Sequence, residues 1–305
     1  MDLEQKAIQR IQTASEMSLH HYGYPLVCTY SGGKDSDVML ELFKRSGVPF
    51  EVHNSHTTAD SPDTVRHIRE VFRDLELKGI KCTIDYHVQP NGKRLTMWNL
   101  IPIKLMPPSR LVRYCCSELK ETGCSNRMIA TGVRWDESQN RKKNRESYEA
   151  ITTNIKDKVK VSDEKMLLSD NDDTRKLFEQ CQLKAKTVVN PIIDWKTSDV
   201  FEFADSEKIC MNCMYKMGYD RVGCIGCPMA SKKRWKEFAD YPKYKLMYIH
   251  AFDRMLEERK RRGLEARQWK TGEEVFLWWM EEENISGQLS FDFDGTDFSG
   301  FNERV

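Results

Sequence analysis

No stretch of this 305-residue chain approaches the roughly 18 consecutive apolar residues of a membrane-spanning helix. A surplus of charge is missing as well, because 48 basic residues face 47 acidic ones. Such a balance gives no support for bulk adsorption on a polyanion, although a local basic patch stays open. The opening stretch, "MDLEQKAIQRIQTASEM", is charged throughout and does not read as a secretory signal. A cytoplasmic location is therefore expected. Internal repeats are absent. No cysteine follows Cys227.

What the chain does have is enough apolar residues for a core, 39% with 10% aromatic, and ten cysteines. An even number of cysteines suits a disulfide framework in a small secreted chain. In a large chain with no secretion signal the thiols are expected to stay reduced. Clustered cysteines then point to metal binding or redox chemistry. Cys28, Cys82 and Cys181 stand apart and read as structural.

Strand and helix patterns alternate. "PLVCTY" (25–30), "FEVHN" (50–54), "CTIDYHV" (82–88), "RMIATGVRW" (127–135) and "TVVNPIIDW" (187–195) read as strands. Between them lie helices over 37–47 and from Ser61, the latter with Pro62 at its first position. This alternation predicts an α/β fold, a mostly parallel sheet flanked by helices. Residues 1–205 form the α/β domain. Within it, 136–186 is highly charged and weakly periodic, a solvated insertion or a lid. Residues 206–230 carry cysteines, 231–284 form a helical C-terminal region, and the Gly-, Ser- and Asp-rich 285–305 is a flexible tail. Trp235, Phe238, Tyr244, Met247, Tyr248, Phe252, Met255 and Leu256 recur at helical spacing as a core stripe. "ERKRRG" (258–263) reads as a solvated face.

The first chemical motif is "SGGKDS", Ser31 to Ser36, between a strand and a helix. Backbone N–H groups of such a turn and the positive end of the helix together attract anions. Gly32 and Gly33 allow close backbone approach. Lys34 adds a full charge, and Ser31 and Ser36 add hydroxyls. The spacing fits neither GxxxxGK[ST] nor GxGxxG.

This motif resembles the signature of the PP-loop ATP pyrophosphatases, which split ATP between its α and β phosphates. The resemblance implies an adenine-nucleotide α-hydrolase-like fold. It implies that Ser31, Gly32, Gly33 and Ser36 cradle phosphate, that Lys34 neutralises the β and γ phosphates, and that Asp35 helps position magnesium. It extends to about residue 230 and is closest to the phosphoadenosine phosphosulfate (PAPS) reductase family. "TGVRWDESQNR" resembles that family's GxRxxES segment and carries Arg134, Glu137, Ser138 and Arg141. "NPIIDWKTSDVFEF" resembles its P-[LI]-x-x-W-x-x-x-D-V segment. Arg134 and Arg141 suit anion binding, since a guanidinium grips phosphate bidentately. Arg134 is expected at the chemistry with Lys34 and Asp35, and Glu137 and Arg141 near the nucleotide.

Cysteines narrow the reading. "RYCCSELK" (113–120) holds an adjacent pair, and "GYDRVGCIGCP" (218–228) a C-x-x-C. Iron–sulfur adenylyl-sulfate reductases of this family use such elements in that order. The resemblance thus implies a [4Fe–4S] cluster on Cys115, Cys116, Cys224 and Cys227, with zinc as the alternative. Cys210 or Cys213 could substitute as a ligand or carry sulfur. Two departures point away from sulfate reduction. The C-terminal cysteine nucleophile of the reductases is missing, and the glycine loop keeps its lysine. The ATP-pyrophosphatase component of DNA phosphorothioation systems and sulfur-inserting RNA-thiolation enzymes are nearer analogies. The expected function is ATP-dependent adenylation of an acceptor (DNA, RNA or a small molecule) for sulfur transfer, with sulfur supplied by a donor protein. A sulfonucleotide reductase and a non-catalytic nucleotide-binding regulator are the alternatives.

Overall fold

The computed structural model describes residues 2–89, 91–121, 123–151, 159–163, 186–264 and 269–281. Seven strands form one sheet: β1 (Leu26–Thr29), β2 (Phe50–Ser55), β3 (Cys82–Asp85), β4 (Met128–Ala130), β5 (Tyr148–Ile151), β6 (Val159–Val161) and β7 (Lys186–Val189). Their order is β3-β2-β1-β4-β7-β5-β6. The first five in that order run parallel, in register as Cys28 with Val52 and Ala130, and Ile129 with Val188. β5 and β6 add an antiparallel edge. This is a mostly parallel α/β sheet, as the strand and helix alternation predicts. The order reverses between β1 and β4, and the loops leaving those two strands therefore part around a crevice, where open α/β sheets bind ligands.

Helices cover the sheet for local reasons. α1 (Leu3–Tyr22) starts at Asp2, whose carboxylate accepts from the Gln5 amide, and buries Ala7, Ile11 and Ala14. α2 (Lys34–Ser46) buries Val38, Met39, Leu42 and Phe43 and ends at Gly47 in the left-handed region. Because α2 begins at Lys34, half of the SGGKDS motif is the first turn of a helix rather than loop. α3 (Pro62–Glu76) is capped by Ser61, which accepts from the Thr64 amide, and its buried face carries Thr64, His67, Ile68, Phe72 and Leu75.

A second apolar cluster lies beyond the sheet. α4 (Met97–Lys104) and α5 (Tyr114–Leu119) pack with α8 (Arg234–Asp240), α9 (Pro242–Arg261) and α10 (Gly272–Met280). Phe238, Tyr248, Phe252, Phe276 and Trp279 form a ring cluster there. α6 (Gln139–Asn144) follows β4 in the chain, and α7 (Thr197–Ser206) follows β7 and buries Val200 and Ala204.

Three expectations change. The strand expected over 82–88 stops at Asp85, and that over 127–135 stops at Ala130. The charged 136–186 stretch supplies β5 and β6, where Tyr148 is buried and pairs with Val189. Trp235 and Met247 leave the expected core stripe, at 52% and 38% exposed. The remainder of the proposed lid, Cys181 and the tail lie outside the described residues. "ERKRRG" pairs within itself, Glu258 with Arg261 and Arg262. Among the described residues, no helix is long and apolar enough to cross a membrane.

Candidate active site

The glycine loop sits at the crevice end of β1. Gly32 has φ of 73° and passes so close to α3 that a Cβ would lie 2.9 Å from Ile68. Its carbonyl accepts from Asn212 Nδ2 at 2.9 Å. Ser36 closes the turn: its hydroxyl donates to the Gly33 carbonyl at 2.7 Å and receives the Gly33 amide at 3.1 Å. The Lys34 amide, at the start of α2, donates to the Tyr215 hydroxyl at 2.8 Å. That amide is one of the N–H groups a helix N-terminus leaves without an intrahelical partner, the kind that takes a phosphate oxygen. Burial raises the Tyr215 hydroxyl well above its ordinary value, so it stays protonated.

Behind the loop lies a buried polar knot. Asp37 Oδ1 accepts from both the Tyr30 hydroxyl and His67 Nε2, the latter at 2.9 Å. Tyr30 precedes the loop and Asp37 follows it, so one carboxylate oxygen ties both ends to α3. Burial, and next the Asp37 charge, raise Tyr30 far above an ordinary phenol.

Charges line the mouth. Asp35 Oδ1 accepts from Arg134 Nε at 2.7 Å, and Asp35 Oδ2 pairs with Lys34 Nζ at 3.3 Å. Arg134 is 1% exposed and also donates to the Trp195 carbonyl and to Thr197. The loop after β4 reaches this point because Gly132 passes the Asp35 backbone, 3.3 Å from where a Cβ would be. Arg134 is therefore committed to holding Asp35. Arg141 pairs with Glu137, and Ser138 caps α6 by accepting the Arg141 amide. Burial, then the charges of Arg145 and Arg221, lower the Arg141 guanidinium from its ordinary value.

The cysteines form a second centre. Cys115 interacts with Cys116, Cys224 and Cys227 through its charge environment, so the four thiols share one neighbourhood. α5 supplies the first pair. The second comes from a turn in which the Cys227 amide donates to the Cys224 carbonyl at 3.2 Å. Ile225 N donates to Ala59 O at 2.8 Å, and Thr57 Oγ1 lies 3.3 Å from Cys224 Sγ. Cations surround the sulfurs: Arg113 donates to Cys116 Sγ at 3.3 Å, Arg221 to Cys227 Sγ at 3.9 Å, and Lys120 is raised above its ordinary value first by the Cys224 charge. The hydrogen bond from Cys115 lowers the Cys116 thiol against its burial.

A phosphoadenosine phosphosulfate reductase domain matches residues 25–230, two-thirds of the chain. The chain belongs to the phosphoadenosine phosphosulfate reductase family. Two uncharacterised proteins of Methanocaldococcus jannaschii are each 25% identical to this family member, over 86% and 67% of its length. It spans only 54% and 36% of theirs. Among solved structures it is similar to a Candida auris PAPS reductase in a phosphate complex (TM-score 0.40, 15% identity), covering 69% of this chain and 87% of that one. It is also similar to a Candida glabrata FMN adenylyltransferase (TM-score 0.41, 13%), covering 73% and 62%. The U34-tRNA thiolase NcsA of Methanococcus maripaludis, with its [4Fe-4S] cluster, gives a TM-score of 0.40 at 14% identity, covering 97% and 88%.

In this PAPS reductase family member, then, the structure brings Ser31–Ser36 and Arg134 together, and Cys115, Cys116, Cys224 and Cys227 together. Cys210 and Cys213 are exposed; Cys210 bears electrostatically on Tyr30 and Cys213 on Tyr241. Cys28 is fully buried and Cys82 half-buried; burial raises both, Cys82 to about 12. Sequence reasoning missed Tyr215, Asn212, Tyr30, Asp37 and His67 around the loop, and Thr57, Asp60, Arg113 and Arg221 around the thiols. Tyr30 and Asp37 flank the glycine motif, and Arg113 and Arg221 each lie within six residues of a motif cysteine, so these four left a readable trace.

A tetrathiolate site carries net negative charge with either zinc or a cubane cluster, and three cations beside these four sulfurs suit it. Among the described residues, no three cysteine, histidine or carboxylate side chains already stand at metal-ion spacing. Asp35 has both oxygens engaged by cations. A divalent cation would therefore find no free carboxylate oxygen on Asp35.

Proposed function

We propose that this chain is an ATP pyrophosphatase of the PP-loop type that adenylates an acceptor for sulfur transfer. The observation that carries the reading is the intact Ser31–Ser36 cradle at the β1/β4 switch point, with a buried Lys34 beside Asp35 and Arg134. ATP binds with its β and γ phosphates on the loop amides, and the Tyr215 hydroxyl yields the Lys34 amide to a phosphate oxygen. The acceptor oxygen attacks the α-phosphorus, the α–β bridging bond breaks, and pyrophosphate leaves with its electron pair. Lys34 neutralises the charge that develops on it. AMP on the acceptor is then the leaving group for a sulfur nucleophile. Arg134 keeps the Asp35 carboxylate oriented through both steps.

Cys115, Cys116, Cys224 and Cys227 would hold a [4Fe–4S] cluster, which supplies a place to bind or pass sulfur. Arg113 and Arg221 hydrogen-bond their thiolates, and Thr57 and Asp60 fix Cys224 in position. Incubated anaerobically with ATP, the protein should release pyrophosphate, and Lys34→Ala should stop it. Orthophosphate and ADP as products would rule the reading out. A second reading, a sulfonucleotide reductase, is favoured by one observation: the exposed Cys213 opens the turn that carries Tyr215 to the loop. Sulfite formation from adenylyl sulfate, lost in Cys213→Ser, is its test.

A further inference from the structure

α3 has two working faces. Its inner face carries Thr64, His67 and Ile68 against the glycine loop. Its outer face carries Arg66, Arg69 and Arg73, all exposed, along one wall of an open cleft of about 600 Å³. His56, Asp60 and Tyr244 line the cleft as well. Tyr86 stands at the rim, 37% exposed, with its ring 5.3 Å from that of His56 and under the Arg94 guanidinium at 4.0 Å. Arg69 and Arg94 both bear on His56, whose imidazole is held below its ordinary value by burial first. Among the described residues Arg69 has no salt-bridge partner, and Arg66 and Arg73 have only mostly exposed pairings with Asp63 and Asp74. The lining carries two carboxylates, Asp60 and Glu70.

We infer that this cleft docks a single-stranded nucleic acid. From Arg66 to Arg73 the helix axis advances about 10 Å, room for a short run of backbone phosphates. Guanidinium groups spaced along a groove, with aromatic rings at its edges, are how proteins track an unpaired strand: charge holds the backbone and rings take the bases. The cleft also leads somewhere. Asp60 on its wall accepts from Thr57 at 2.8 Å, Thr57 touches Cys224 Sγ, and Cys224 Sγ lies 3.8 Å from Asp60 Oδ1. A strand lying along α3 thus passes the four-thiol centre. Identifying that strand as the acceptor rests on the adenylation reading; its docking does not.

The test is fluorescence anisotropy of the full chain with labelled 12-nucleotide single-stranded RNA and DNA at stepped salt. Three phosphate contacts predict a log–log salt slope of about −2, roughly a twentyfold loss of affinity between 50 and 200 mM salt. The variant R66E/R69E/R73E should bind at least about tenfold more weakly, while circular dichroism and ATP binding stay as in the parent. Arg69→Gln alone should give a smaller loss in the same direction. Equal binding by parent and triple variant would overturn the inference. So would equal competition by AMP, which marks a small phosphate site, or by polyglutamate, which marks an acidic protein partner. The assay needs no turnover, so failure of pyrophosphate release leaves its result intact.

Discussion

Tyr215 illustrates how much rests on single groups here. Its hydroxyl accepts from the Lys34 amide. Tyr215→Phe removes the acceptor and leaves that amide unpaired, a loss of about 1–2 kcal/mol in unfolding free energy. With saturating ATP the loss should shrink, because a phosphate oxygen takes the amide instead. Urea denaturation of parent and variant, with and without ATP, measures both numbers; an equal loss in the two conditions would separate Tyr215 from the phosphate site. Gly226 is the other sensitive position. It has φ of 74°, and a Cβ would lie 2.6 Å from Phe238 Cζ and 2.9 Å from Tyr248. Gly226→Ala combines left-handed strain with overpacking and should cost about 2–4 kcal/mol in the same assay. The motif residues were readable because their types are rare in that combination. Tyr215 and Asn212 were not: a tyrosine and an asparagine some 180 positions away meet the loop only through the fold.

At the scale of elements, α1 is fastened by a charged network. Arg10 is 3% exposed and donates to Asp194, to Asp163 and to the Pro191 carbonyl. Burial raises Asp194, but hydrogen bonds from Arg10 and Lys6 outweigh it and bring the carboxyl down to about 2. A depressed carboxyl contributes stability above its unfolded value and loses it as pH falls through the folded one. Unfolding free energy should thus drop by about 2 kcal/mol between pH 4 and pH 2 from this group. Arg10→Met should flatten that slope and cost about 3–5 kcal/mol at neutral pH, because Lys6 alone is left to compensate two carboxylates. Thermal denaturation across pH reads both. The same network explains a gap in sequence reasoning. β1, β2, α2 and α3 show in local periodicity and caps. β5 and β6 do not, because a short antiparallel edge gets its stability from partners: Tyr148 is held by pairing with Val189 and by packing near Arg10. Charge in the surrounding 136–186 stretch masks the seven residues of these two strands.

For the whole molecule, the thiol centre joins two regions that the chain keeps far apart. α5 brings one cysteine pair; the Cys224–Cys227 turn brings the other and is seated on the C-terminal helices through Tyr248, which donates to the Ile225 carbonyl at 2.9 Å. A bound cluster would cross-link them. Anaerobically purified protein should be brown and carry iron. Chelation of the metal, or Cys224→Ser, should bleach it and lower the midpoint of thermal unfolding. Zinc with no colour would instead support the zinc alternative.

The knot at Tyr30, Asp37 and His67 also has a dynamic consequence. Both ends of the glycine loop hang on one carboxylate oxygen, so the loop opens as a single unit or stays closed. Backbone amides at Gly33 and Asp37 should therefore exchange with deuterium at a common opening free energy. In His67→Gln or Tyr30→Phe the two should accelerate together. On the proposed adenylation reading, nucleotide would meet a cradle already in shape, with little of its binding energy spent on ordering the loop.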